Sequence, residues 1–115
     1  MFGNNFVSKK LTSIIKRRLF TILKKYKTPF YLYSLDIIRY KYVKMKQYFP
    51  SFNIFYSIKA NPNLSICKAL LSLGASAEVC SLGELKTALK VGFNPRNIIF
   101  VGPGKTEEEI FIAAF

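Results

Sequence analysis

Residues 53–102 read NIFYSIKANPNLSICKALLSLGASAEVCSLGELKTALKVGFNPRNIIFVG. Short runs rich in Ile, Val, Phe and Tyr alternate here with segments of helical period. The pattern predicts strands at 53–59, 76–80 and 98–101 and helices at 64–73, 82–91 and from 107 onward. Gly74 and Gly92 mark the ends of the first two helices, and Ser81 and Thr106 stand as N-caps. The order is βαβαβα with short units, so each strand returns by a right-handed crossover to a parallel neighbour. A parallel sheet needs cover on both faces, which three strands and three helices do not supply.

Upstream, residues 1–27 read as a basic amphipathic helix: Leu11, Ile14, Ile15, Leu19, Ile22 and Leu23 fall at helical spacing among eight Lys or Arg. Thr28-Pro29 ends it, because proline disfavours helical geometry in the residue before it. Phe30-Tyr31-Leu32-Tyr33 then reads as a short strand, and residues 34–49 as a second helix with Ser34 as N-cap and Pro50 as its stop. At the other end, Ile110-Phe111-Ile112-Ala113-Ala114-Phe115 is still apolar, with neither cap nor polar tail. The expectation is therefore a fragment or truncated reading frame of a larger fold.

Charge is unevenly placed. Residues 1–77 hold fourteen Lys or Arg against one acid, Asp36, so the net +12 comes from that part of the chain. A basic arm of this kind suits a solvated surface, nucleic acid, anionic lipid or an organelle import machinery. No basic and aromatic stacking pattern accompanies it, so the solvated surface is preferred and neither nucleic acid nor membrane is expected as a partner. Lys9, Lys10, Lys16, Arg17 and Arg18 interrupt every early apolar stretch, which argues against a secretory signal. Cys67 and Cys80 then read as reduced thiols in a cytoplasmic protein, with import through residues 1–27 as the alternative. With no His and no zinc-like Cys spacing, no metal site is expected.

Alternation along the first strand puts Asn53, Phe55, Ser57 and Lys59 on one face and Ile54, Tyr56 and Ile58 on the other. Lys59 closes the mixed face at the strand's carboxyl end, before Ala60-Asn61-Pro62-Asn63, where barrels and open α/β sheets place their active sites. A lysine sheltered in such a mouth loses stabilisation of its charge, and a neutral amine is the nucleophile that condenses with an aldehyde. The alternative is a lysine that simply leaves the strand for solvent. Glu84 has a more ordinary explanation than catalysis, since Ser81-Leu82-Gly83-Glu84 is a capping box; Thr106-Glu107-Glu108-Glu109 reads the same way. Gly102-Pro103-Gly104-Lys105-Thr106 is no nucleotide P-loop, because Ile99 stands where that motif needs its first glycine.

Four stretches together resemble the amino-terminal part of the ornithine, diaminopimelate and arginine decarboxylase family. Thr28-Pro29-Phe30-Tyr31-Leu32-Tyr33 is similar to its opening strand, Phe55-Tyr56-Ser57-Ile58-Lys59-Ala60-Asn61 to its pyridoxal-lysine motif. Ala77-Glu78-Val79-Cys80-Ser81-Leu82-Gly83-Glu84-Leu85 resembles its second strand and following helix, and Phe100-Val101-Gly102-Pro103-Gly104-Lys105-Thr106 its third. Four motifs in order over about three-quarters of the chain are specific where one alone is weak.

The resemblance implies an α/β fold, a partial (β/α)8 TIM barrel of three βα units preceded by a basic helix (1–27) and a short strand. Residues 28–115 would then be an incomplete pyridoxal-phosphate-binding domain. It implies pyridoxal 5'-phosphate as cofactor, Lys59 as the Schiff-base lysine, an amino acid as substrate with loss of carbon dioxide, and a homodimer in the full-length form. Where the family usually brings an aspartate near the lysine, this sequence has Glu78, one methylene longer, which leaves the substrate open. Two alternatives stand beside this: a truncated, non-catalytic homologue that binds full-length relatives, and a basic binder of nucleic acid or anionic surfaces.

Overall fold

The computed structural model describes residues 4–114. By internal contacts the chain divides into two units, Met1–Ile37 and Ile38–Phe115.

In the first unit, α1 (Asn4–Lys25) is the predicted basic helix, with Lys24 and Lys25 in the last turn where cations suit the negative helix end. Leu11, Ile15 and Leu23 are exposed on it, and the Lys10 ammonium lies 2.9 Å from the Asp36 carboxylate. A cleft of about 390 Å³ is lined by Lys10, Arg17, Arg18, Tyr33 and Asp36 among others. The strand expected at Phe30-Tyr31-Leu32-Tyr33 does not form. A strand exists only through ladder bonds to a neighbour, and the sheet among the described residues consists of three later strands. Tyr31 and Tyr33 instead stack on each other in the open, with ring centroids 6.4 Å apart.

α2 (Leu35–Tyr48) begins after Ser34, whose carbonyl accepts from the Ile37 N–H at 3.2 Å, and its Tyr42 is buried. Then follow β1 (Phe55–Ser57), α3 (Leu64–Leu71), β2 (Ser76–Val79), α4 (Leu82–Val91), β3 (Ile98–Phe100) and α5 (Glu107–Ala114). The three strands form one parallel sheet in the order β1-β2-β3. Tyr56, Ala77 and Ile98 stand in register across it, as do Ser57, Glu78 and Ile99.

Register and burial together give the sheet two unlike faces. Ala77 and Val79 of β2 are completely buried against Cys67 of α3 and Leu85 and Ala88 of α4, with Ile58 and Phe93 completing the core. Tyr56, Ile98 and Phe100 pack at its border. Each large aliphatic side chain so placed gains about 1.5–3 kcal/mol on leaving water. The opposite face, with Phe55, Ser57, Ser76, Glu78 and Ile99, is only half-buried or exposed. Helices thus cover one side, as on the outer wall of a barrel, and Ser57 and Glu78 lie on the other.

The helix ends follow local chemistry. α4 starts where the Ser81 hydroxyl accepts the Glu84 N–H and stops at Gly92, whose φ of 104° is left-handed. There the Phe93 N–H bonds the Ala88 carbonyl and the Gly92 N–H the Leu89 carbonyl, the paired bonds of a Schellman ending.

Candidate functional site

The first strand ends two residues sooner than the alternation predicted. Ile58, Lys59 and Ala60 form a single 3-10 turn, closed by the Asn61 N–H on the Ile58 carbonyl at 3.1 Å. Ile58 drives this turn by entering the core, where it is completely buried. Neighbouring side chains hold the loop that follows. The Tyr56 hydroxyl donates to the Asn61 carbonyl at 3.0 Å, and the Asn61 side chain accepts the Asn63 N–H at 3.0 Å. Asn63 in turn caps α3, accepting from the N–H groups of Ser65 and Ile66.

Lys59 therefore projects from a braced turn at the carboxyl end of β1 rather than from the strand itself. Its side chain is 60% exposed, so the shelter expected around the amine is not supplied by the described residues. The Nζ lies 3.8 Å from Oε1 of Glu78, and the same oxygen accepts a hydrogen bond from the Ser57 hydroxyl at 3.0 Å. Ser57 and Glu78 are register partners on adjacent strands, which places both on the face away from the helices. The two residues singled out in the sequence, Lys59 and Glu78, are thus neighbours in space, and Ser57 is the partner that sequence reasoning passed over. The signal was present in the alternation: Ser57 is the one hydroxyl on the Lys59 side of that strand.

Cys80 follows β2 at the same strand ends, and sequence reasoning took it only as a reduced thiol. Its N–H donates to Glu84 Oε2 at 2.9 Å, and its thiol lies 3.3 Å from Oε1. The hydrogen bond to the Glu84 carboxylate pushes the Cys80 thiol up; the Lys59 ammonium pulls more weakly the other way. Glu84 is accordingly committed to its helix start, but its carboxylate takes the Cys80 N–H, one residue before the Ser81 N–H that a capping box uses. Lys105 folds onto its own loop, donating to the Gly102 carbonyl at 2.7 Å with its ammonium over the Phe100 ring. It is not joined to Lys59.

An accessible primary amine on a braced turn at the carboxyl end of parallel strands, with a carboxylate beside it, fits an aldehyde-bearing cofactor. Three βα units on one parallel sheet, walled by helices on one face, are those of a partial (β/α)8 barrel. Residues 35–114 match the profile of the family described as pyridoxal-dependent decarboxylase, pyridoxal binding domain, and the chain belongs to that family.

Diaminopimelate decarboxylase from Campylobacter jejuni is 42% identical over 88 residues, 75% of this chain and 22% of its own length. L-glutamyl-[BtrI acyl-carrier protein] decarboxylase from Niallia circulans is 41% identical over 93 residues, 80% of this chain and 22% of its own. The crystal structure of diaminopimelate decarboxylase from Helicobacter pylori complexed with L-lysine superposes with a TM-score of 0.76 at 40% identity, over 82% of this chain and 24% of that one. The chain thus spans between a fifth and a quarter of the length of these relatives. Among the described residues no helix is long and apolar enough to cross a membrane.

Proposed function

We propose that residues 28–115 are the cofactor-holding front of a pyridoxal-phosphate-dependent amino-acid decarboxylase of the diaminopimelate, ornithine and arginine type, with residues 1–27 as an extension. The single observation that carries this is Lys59 on its braced turn, 3.8 Å from the Glu78 carboxylate at the open mouth of the sheet. Lys59 holds the cofactor through its Nζ. Glu78 supplies the countercharge beside that nitrogen, and Tyr56, Asn61 and Asn63 keep the turn from moving under it. Pyridoxal phosphate, when bound, supplies the electron sink that accepts the electron pair left as the substrate carboxylate departs as carbon dioxide. The exposure of Lys59 means that exclusion of water from the nitrogen is the task of groups other than those packed around it here.

The substrate is an amino acid. Relatives similar to this chain to nearly the same degree are named for both diaminopimelate and an acyl-carrier-bound glutamyl group, so the choice among substrates lies outside what this segment fixes. A homodimer and a cytoplasmic location complete the proposal; both cysteines are free thiols, in keeping with a reducing compartment.

The test is borohydride reduction of the natural gene product in the presence of pyridoxal phosphate, followed by peptide mass mapping. A phosphopyridoxyl adduct on Lys59 that disappears in Lys59→Ala is the expected result. Trapping that persists unchanged in that variant, on another lysine, refutes the assignment.

A further inference from the structure

Oε1 of Glu78 serves two neighbours at once, the Lys59 ammonium at 3.8 Å and the Ser57 hydroxyl at 3.0 Å. The ion pair is the weaker restraint. It is longer than a hydrogen bond, and with Lys59 60% and Glu78 32% exposed it is open to solvent screening. A glutamate has three rotatable side-chain bonds, and one left unpinned on an open sheet face spreads over many rotamers. The Ser57 hydrogen bond is half-buried, within bonding distance and made to a charged acceptor, which is the stronger kind. Parallel register sets the Cα of Ser57 directly beside that of Glu78, so a side chain as short as serine reaches the carboxylate without leaving its own strand.

We infer that Ser57 is a positioning residue: its hydroxyl fixes the carboxylate of Glu78 against the Lys59 nitrogen and offsets the freedom that the longer acid brings to this place. The inference rests on the reading of Lys59 as the cofactor-holding lysine and deepens it. A fixed carboxylate keeps the nitrogen at one position and offers it a steady countercharge. A carboxylate free to swing into water does this only part of the time. Ser57 touches neither the nitrogen nor the cofactor in this role; it acts through Glu78.

The experiment is a double-mutant cycle on the natural gene product, with pyridoxal phosphate affinity read by absorbance titration and the attachment point by borohydride trapping and mass mapping. Ser57→Ala is expected to weaken affinity about three- to tenfold, the worth of one such hydrogen bond. In a Glu78→Met background, which keeps the length but has no oxygen to accept the hydroxyl, the same substitution is expected to add nothing. Ser57→Thr and Ser57→Val, matched in shape and differing in the hydroxyl alone, keep the comparison valid if alanine loosens the strand; Thr holds the affinity and Val loses it. An equal loss from Ser57→Ala in both backgrounds, or equal affinities for Thr and Val, overturns the inference while leaving Lys59 in place. Absence of any adduct on Lys59 in the unsubstituted protein overturns the cofactor reading itself, and is told apart because every variant is then silent.

Discussion

Cys80 shows how much a single neighbour decides at the mouth of the sheet. Its thiol is pushed above the ordinary 9.0 first by the hydrogen bond to Glu84, then by desolvation and by the negative charges of Glu84 and Glu78; the Lys59 ammonium opposes them. A thiol is unreactive while protonated, so Cys80 is expected to alkylate slowly at neutral pH despite its exposure. The rate of iodoacetamide labelling followed against pH has its midpoint above 9.0. In Glu84→Gln the midpoint falls and labelling near neutral pH quickens. A wild-type midpoint below 9.0 contradicts this account. Lys59→Ala moves it in the opposite direction, upward, since a cation that favours the thiolate is lost. Cysteine count and spacing carry none of this, because the effect depends on a carboxylate four residues along that the helix start turns back toward the strand end.

At the scale of elements, the ends are governed by short-range chemistry that a sequence displays openly. Gly92 has φ +104°, and a methyl group there would meet Leu71 only at an ordinary 3.8 Å, so space is not the obstacle. Backbone strain alone sets the cost of Gly92→Ala, about 1–2 kcal/mol, read as a lower urea midpoint with unchanged slope. α5 begins with a reciprocal pair: the Thr106 N–H donates to Glu109 Oε2 at 3.0 Å and the Glu109 N–H to the Thr106 hydroxyl at 3.1 Å. The bond from the Thr106 backbone holds the Glu109 carboxyl below its ordinary 4.5. A carboxylate lowered on folding stabilises above its unfolded value, and that contribution fades as pH falls through the lowered one. An NMR titration of Glu109 therefore has its midpoint below 4.5, and Thr106→Pro, which removes the N–H, returns it toward that value. The alternation and these caps made the βαβαβα order, the parallel sheet and the Thr106 capping box readable in advance, while at α4 the Ser81 cap formed but the Glu84 carboxylate reached Cys80 instead of Ser81. What was not readable depended on partners distant in sequence. Phe30-Tyr31-Leu32-Tyr33 has the composition of a strand but no ladder to join, and the expected strand end at Lys59 gave way to a turn because Ile58 is drawn into a core built by α3 and α4. Ser57 and Glu78 become partners only through the register of β1 and β2, which no local pattern reveals.

Across the whole molecule the division of labour between the faces of the sheet governs behaviour in solution. One face is closed by α3 and α4, and no charged or polar residue is fully buried among the described residues. On the other face Ile99 is 45% exposed, in register with Glu78, although parallel strands ordinarily have both faces covered. Exposed apolar area of this kind on a folded chain binds apolar dyes and partners. The chain of 115 residues is therefore expected to enhance the fluorescence of anilinonaphthalene sulfonate while folded and to lose that signal through its urea transition. Ile99→Lys lowers the folded-state signal, and because the side chain is already half in water it shifts stability by no more than about 0.5 kcal/mol. A large loss of stability in that variant shows instead that Ile99 lies within a covered core. A dye signal that is absent when folded and rises on unfolding shows that the open face is closed in solution, and that the Ser57, Glu78 and Lys59 cluster lies beneath a cover.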